Sequence, residues 1–339
     1  MDHTPDDLLS RVRAGENLSA AETAAAVRRM TSGSCDEAWI ADFLTALASK
    51  GETPDEVAGA AEALRFSMTP IHSRHTRLLD TCGAGGVGSH LFNISTTAAL
   101  VVAACGVPVA KHGNRSVTSR SGSGDVLAEL GVNISASIAQ VERCLDELGL
   151  CFCFAPLMHP AMKHVSAVRK RLGIRTVFNI LGPLANPARA THQLVGAGRG
   201  ELRTLLAEAL ARLGTQRALV VTGEDGLGEA TLAGATHVAA VSAVAVNEFE
   251  LRPEDFGIAT APLDGLQIRD AADSAAIIRS VLANHPGPAL NIVILNAALG
   301  LMAFDETLAP RDAAHRAAEA IHSGAAAGLL QRLAALSHE

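Results

Sequence analysis

LLDTCGAGGVGSHLFNISTTAALVVAAC, residues 78–105, runs from an apolar stretch through Gly83, Gly85, Gly86 and Gly88 to an Ala-rich segment opened by Asn93, Ser95 and Thr96. That order predicts a strand, a glycine turn and a helix starting near Ser95. Glycines let a backbone turn tightly and bring its N–H groups close to a ligand, and a helix N-terminus adds partial positive charge. The combination suits a phosphate. The plainer alternative is a flexible turn capped by Ser95. The spacing fits neither the dinucleotide fingerprint nor the Walker loop, which needs a Lys after its last Gly.

Downstream, VPVAKHGNRSVTSRSGSGDVLAELG (107–131) repeats the arrangement, an apolar run, a polar loop and a helix near 124–130. Its loop gathers Lys111, His112, Asn114, Arg115, Ser116, Ser119, Arg120, Ser121 and Ser123. Three cations among hydroxyls form a concentrated acceptor for phosphate or pyrophosphate oxygens, where the plainer reading is a solvated basic turn. Further apolar runs follow at CFCFAP (151–156), ALVVTG (218–223) and ALNIVILNAALGL (289–301), read here as continuing the strand series. Strands alternating with helices predict a mainly parallel sheet flanked by helices, with ligands at the strand carboxyl ends. The loops DTCGAGGVG, KHGNRS and TGEDGLGE each follow a predicted strand and would open on one crevice.

Upstream, residues 1–73 contain only helical patterns, at Thr4–Ala14, Ser19–Ser32, Cys35–Lys50 and Thr53–Phe66. Ser19 with Glu22, and Thr53 before Pro54, Asp55 and Glu56, are helix-start chemistry. The expected fold is therefore α/β, a small N-terminal helical domain followed by a larger domain built on the sheet.

The chain has 339 residues, 48% hydrophobic and 19% charged, with a formal net charge of −7. The acidic balance disfavours a nucleic-acid groove and leaves room for a local small-anion site. MDHTPDDLLSRVRAG lacks the pattern of a signal peptide, and no apolar run reaches the roughly 18 residues of a membrane span, so no membrane association and a cytoplasmic location are expected. The six cysteines form no CxxC pair, which favours reduced, mostly buried thiols over a metal site.

Three segments carry a family resemblance: DTCGAGGVG followed by FNIST, AKHGNRSVTSRSGSGDVLAELG, and FAPLMHPAMKHVSAVRKRLGIRTVFNILGPLANPA. Together they resemble the anthranilate phosphoribosyltransferases, in a class that includes pyrimidine nucleoside phosphorylases. The resemblance extends from LSAAETAAAVRRMTSG and KGETPDEVAGAAEALR to EDFGI near residue 257 and the C-terminal helices. It implies transfer of phosphoribosyl from phosphoribosyl pyrophosphate to the anthranilate amine, in tryptophan biosynthesis. The phosphoribosyl pyrophosphate cradle it implies is Gly83, Gly86, Asn93, Ile94, Ser95, Thr96, Lys111, His112, Gly113, Asn114, Arg115, Ser116, Ser119 and Ser123. The implied anthranilate site is Gly83, Asn114, His159, Arg169 and Gly182, and the implied Mg²⁺ ligands are Ser95 and Glu229. It also implies a homodimer formed through the helical domain (1–73, joined in space by a helical segment near 165–185), with residues 74–339 as the α/β domain.

Arg169 suits a carboxylate through a charge-assisted fork, although RKR also reads as a surface cluster. His112 and His159 are expected to pack or touch substrate rather than move protons, and no dedicated acid or base is assigned. Four positions depart from the family pattern, Ala84, Val87, Leu91 and Gly228, removing two hydroxyls and two acids. Glu229 is then the lone carboxylate expected at the metal, with Asp225 the nearest substitute in sequence. GGVG also resembles the phosphorylase loop, so a nucleoside phosphorylase is an alternative, as is a non-catalytic paralogue that binds ligands or nucleic acid.

Overall fold

The computed structural model describes residues 4–84, 90–116 and 119–339. Four helices come first: α1 (Pro5–Arg13), α2 (Ala20–Ser32), α3 (Glu37–Lys50) and α4 (Pro54–Ser67). Their starts follow from capping chemistry: Thr4, Ser19, Asp36 and Thr53 each accept from the N–H three residues on. The last cap is reinforced by Glu56, fully buried, whose carboxylate accepts from the N–H of Leu18 (2.9 Å), the N–H of Thr53 (2.8 Å) and Lys50 Nζ (2.9 Å). Burying a carboxylate is tolerable only with such partners.

A seven-stranded sheet follows, made of β1 (Leu79–Gly83), β2 (Val109–Gly113), β3 (Leu150–Phe154), β4 (His192–Gly196), β5 (Arg217–Gly223), β6 (Thr236–Ser242) and β7 (Val246–Leu251). Its order is β3-β2-β1-β4-β5-β6-β7; the first five strands are parallel, while β6 and β7 return antiparallel. Gly83 pairs Gly196, which pairs Val221, and Gly113 pairs Phe154, so the carboxyl ends of the parallel strands align.

Against one face pack α5 (Ile94–Ala104) and α12 (Pro288–Phe304), surrounded by α6 (Ser123–Glu129), α7 (Ile138–Leu148), α11 (Ala271–Leu282), α13 (Pro310–His322) and α14 (Ala325–Leu336). Against the other lies α10 (Gly200–Arg212). The strands alternate between the two cores: Leu194, Leu219 and Val221 enter the first, Val195, Ala218 and Val220 the second. The second core also takes in α1 to α4 and α9 (Lys163–Leu172), which packs on α2 and α3. Phe178, Ile180 and Leu181 join it. A short α8 (Ala155–Met158) precedes α9.

One expectation is overturned. The apolar run 289–301 is not a strand but the inner part of α12, a helix of 17 residues. A strand rarely exceeds about ten residues, and Pro288 in the first turn starts a helix readily. Because α12 is enclosed by the sheet, α5 and α13, it has no polar face to reveal its helical period.

Where the chain passes between the helical part and the sheet, its crossings lie side by side. Thr69 N–H donates to Met158 O (2.8 Å), and Ile71 N–H donates to Pro187 O (3.1 Å).

Candidate active site

The carboxyl ends of β1, β2 and β5 carry the three loops that the sequence singles out, of which residues 85–88 lie outside the described residues. At the end of β1, Gly83 is exposed, and a Cβ there would meet nothing closer than Gly196 O at 4.0 Å. Ala84 N–H then donates to Gly196 O (2.8 Å). Gly86 and Val87 lie outside the described residues. The departure at Leu91 forms an antiparallel bridge with Gln267 and packs against the core, so a hydrophobic contact stands where the family pattern has a hydroxyl.

Asn93 is the N-cap residue of α5, yet its side chain makes no capping bond. Its Oδ1 accepts from Ser121 Oγ (2.8 Å) and Ser274 Oγ (2.8 Å), and its Nδ2 donates to Ser121 O (3.2 Å). Asn93 therefore ties the start of α5 to the loop after β2. Ile94 and Thr96 are buried beneath the helix start, and among the described residues Thr96 Oγ1 has no hydrogen-bond partner. The α5 N-terminus faces Glu229, whose carboxylate takes hydrogen bonds from the N–H and hydroxyl of Ser95. Burial raises Glu229 to about 7, against the pull of Lys111 and of those bonds.

Lys111, on β2, is only 4% exposed, and its Nζ donates to Thr81 O. Burial lowers its pKa, and the charges of Asp80 and Glu229 oppose that change. Asp80 is itself fully buried and accepts from His112 N–H (3.1 Å); burial raises its carboxyl, against the charge of Lys111. Asp80 and Glu229 thus favour the charged form of Lys111 against the burial that disfavours it.

The loop after β2 is held by Asp125, in the first turn of α6. Asp125 Oδ2 accepts from the N–H groups of Ser116 (2.8 Å) and Gly122 (3.0 Å), and Oδ1 pairs with Arg115 Nη1 (2.9 Å). Burial opposes ionisation, but these partners outweigh it and hold the carboxyl below its ordinary value. Arg115 is exposed, and its ion pair leaves it a partly neutralised cation. Ser123 Oγ donates to Asn114 O (3.3 Å), Ser116 and Ser119 hydroxyls meet at 2.9 Å, and Arg120 Nη1 donates to Ile268 O (2.6 Å). Gly113, at the end of β2, closes on Ser123. Gly122 must be glycine here, since a Cβ would lie 2.4 Å from Ser116 N.

Across the crevice, the His112 and His159 rings meet with Nε2 atoms 3.3 Å apart. His112 Nδ1 bonds the carbonyl of Gly182 (3.0 Å), which can only accept. The proton of His112 is thus on Nδ1, which leaves its Nε2 as the acceptor facing His159. Burial lowers His112 to about 4, and burial with the neighbouring His112 lowers His159 to about 3, so both are neutral near pH 7. Gly182 is exposed, with open space at its Cα. Arg169, on the last turn of α9, lies over the Phe178 ring (5.5 Å) and reaches Asn179 Oδ1 at 3.5 Å. Burial alone lowers its pKa, so among the described residues no carboxylate neutralises it.

The residues fit a magnesium ion only sparingly. Asp225 is exposed and its carboxylate is taken up by its own turn, accepting from Leu227 N–H (3.0 Å) and Thr231 Oγ1 (2.7 Å), and Glu224 accepts from Ala235 N–H (3.0 Å). Asp225 thus holds its own turn rather than replacing the acid absent at Gly228. Glu229 with the Ser95 hydroxyl remains, and Mg²⁺ often takes one carboxylate with water and substrate phosphates. Among the described residues no group of three His, Cys, Asp or Glu side chains surrounds a point.

Comparison with known proteins identifies the family to which this fold belongs. The glycosyl transferase family helical bundle domain matches residues 6–68, and the glycosyl transferase family a/b domain matches residues 75–327. The anthranilate phosphoribosyltransferase of Moorella thermoacetica is 47% identical over 327 residues, 96% of each chain. The chain belongs to the anthranilate phosphoribosyltransferase family. The anthranilate phosphoribosyltransferase of Symbiobacterium thermophilum is 44% identical, over 98% of this chain and 97% of that one. The crystal structure of anthranilate phosphoribosyltransferase from Thermus thermophilus superposes with a TM-score of 0.93 at 41% identity, covering 98% of this chain and all of that one. The Saccharomyces cerevisiae anthranilate phosphoribosyltransferase, solved in complex with PRPP and Mg, gives a TM-score of 0.89 at 28% identity, covering 99% of both chains.

Within this anthranilate phosphoribosyltransferase fold, Asp80, Asp125, Ser274 and Asn296 support the crevice without having been singled out in the sequence. Asp125 carries a readable signal, an acid at the third position of a helix that follows glycines. Ser274 and Asn296 carry none, being ordinary polar residues on distant helices.

Proposed function

We propose that this enzyme transfers the phosphoribosyl group of phosphoribosyl pyrophosphate to the amine of anthranilate, releasing pyrophosphate, in tryptophan biosynthesis. The observation that supports the reading is that buried Lys111 stands beside His112, whose ring bonds the Gly182 carbonyl (3.0 Å), while Arg169 lies over Phe178 with no carboxylate among the described residues to neutralise it. Phosphate oxygens are read by the backbone and hydroxyls at Gly83, Gly86 and Ile94 to Thr96, by Lys111, and by the loop from His112 to Ser123. Asn93 positions this cradle. Anthranilate lies between Arg169, which takes its carboxylate, and Gly83, Asn114, His159 and Gly182.

In the reaction the amine lone pair forms a bond to the ribose C1 as the bond to pyrophosphate oxygen breaks, and the nitrogen then gives its proton to solvent. The aromatic amine needs no strong base, consistent with two neutral histidines beside the acceptor site. Lys111 and the α5 N–H groups stabilise charge on the departing pyrophosphate; one well-aimed donor of this kind contributes about 3 to 4 kcal/mol to lowering a barrier. Ser95 and Glu229 would hold a Mg²⁺ ion, which supplies further charge neutralisation when bound.

The reading extends to residues 1–73 with 165–185 as one domain and 74–339 as the other, to a homodimer through the helical part, and to a cytoplasm where six free thiols stay reduced. Phe66 on α4, 79% exposed, supports the dimer face.

Incubation with anthranilate, phosphoribosyl pyrophosphate and graded Mg²⁺, followed by the loss of anthranilate fluorescence, tests the proposal. Consumption is expected; none at any Mg²⁺ concentration would refute it. Arg169→Ala should raise the anthranilate KM far more than that for phosphoribosyl pyrophosphate.

A further inference from the structure

Ser274, on α11, is fully buried and lies 181 residues from Asn93 in sequence. Its hydroxyl oxygen accepts from the Asn93 backbone N–H (3.0 Å), which leaves its proton for Asn93 Oδ1 (2.8 Å). Ser121 donates its own hydroxyl to that same Oδ1, and the Ser121 carbonyl accepts from Asn93 Nδ2. With the Ser121 carbonyl demanding a donor and Ser274 already committed to a backbone N–H, only one orientation of the Asn93 amide satisfies all four bonds. The segment carrying Ser274 grips the same loop a second time, where Arg120 Nη1 bonds Ile268 O.

We propose that Ser274 is a positioning residue for phosphoribosyl pyrophosphate: it fixes the Asn93 amide and so sets the separation between the α5 N-terminus and the 119–123 turn. Both structures supply groups to the same anion, so a change in their spacing weakens every bond made across it. Ser274 itself touches no substrate. The inference rests on the function proposed above, and its consequence falls on one substrate rather than both. Arg169, His159 and Gly182 stand on other elements, and of the anthranilate contacts proposed above only Asn114 lies in the clamped loop, outside the 119–123 turn, so the effect on anthranilate is the smaller one.

The test compares the wild-type enzyme with Ser274→Ala, Ser274→Cys and Ser121→Ala, by calorimetric binding of phosphoribosyl pyrophosphate with Mg²⁺, by steady-state kinetics, and by hydrogen exchange at residues 119–123. Ser274→Ala is expected to raise both Kd and KM for phosphoribosyl pyrophosphate about tenfold, to change the anthranilate KM less than twofold, and to speed exchange in the turn. Ser121→Ala combined with Ser274→Ala should cost less than the product of the two single effects, because both hydroxyls meet on one oxygen. Equal rises in both KM values, or an unchanged Kd in a folded variant, would overturn the proposal. If the alanine variant does not fold, Ser274→Cys preserves the volume while weakening both bonds, and the same split between substrates is expected; an unchanged Kd there also overturns it. A wild-type enzyme that binds no phosphoribosyl pyrophosphate would defeat the function proposed above instead. Exchange at 119–123 would then decide the clamp alone, faster in Ser274→Ala if it exists and unchanged if it does not.

Discussion

His112 and His159 meet through facing Nε2 nitrogens, and both rings sit well below the ordinary histidine value of about 6.5. Between pH 6.5 and 4, therefore, the unfolded chain takes up protons that the folded chain refuses, and stability falls as pH falls. Urea unfolding at pH 7, 6 and 5 should show this loss, and His159→Gln should flatten the slope by up to about 1.4 kcal/mol per pH unit. An unaltered slope would mean that His159 is not held neutral. Gly196 and Gly228 make a second pair with opposite tolerances. A Cβ at Gly196 would lie 1.8 Å from Gly228 O, whereas one at Gly228 finds its nearest neighbour, Gly198 N, at an ordinary 3.4 Å. Gly196→Ala should thus destabilise the enzyme by about 1 to 3 kcal/mol in thermal unfolding. Gly228→Asp should fold, and the added carboxylate should lower the Mg²⁺ concentration giving half-maximal rate; an equal requirement would show that Glu229 and substrate oxygens already suffice.

At the scale of elements, α12 reaches the site through one residue. Asn296, fully buried, accepts from Ala230 N–H (2.9 Å) and donates to Ala230 O (3.0 Å), fixing the residue next to Glu229. Asn296→Leu leaves both backbone groups buried without partners, at a cost of about 1 to 3 kcal/mol for each. Chemical denaturation should register that loss, and a larger Mg²⁺ requirement should accompany it if Asn296 also steadies Glu229. What could be read from the sequence divides along the same line. Local signals gave the first four helices, with caps at Ser19 and Thr53, and the strand-loop-helix units at Gly83 and Gly113. These elements depend on neighbours within a few residues. The apolar run of α12 misled because a helix enclosed on all sides shows no period, and β6 and β7 gave no clear signal of their antiparallel return. The loops that follow β1, β2 and β5 were legible as loops at strand ends. The grips of Ser274 and Asn296 were not, since each depends on groups that only the folded chain brings together.

Across the whole molecule, the helical part has no private core. Val165 and Val168 of α9 share one hydrophobic cluster with Val27 of α2, Phe43 of α3 and, beyond them, α10 and a face of the sheet. A fragment of residues 1–73 is therefore expected to be helical but loosely packed, with strong dye binding and a broad thermal transition. Adding a peptide covering 163–185 should sharpen that transition, and a fragment that melts cooperatively alone would contradict the shared core. The side-by-side crossings held by Thr69 with Met158 and Ile71 with Pro187 carry the same dependence into the order of synthesis. The ribosome releases α1 to α4 about a hundred residues before α9, so at roughly 5 to 20 residues per second the first helices wait on the order of 5 to 20 s for the surface that completes them. During that interval the nascent chain presents an unfinished apolar face, and a pause in translation within those hundred residues would lengthen its exposure to chaperones and to other nascent copies.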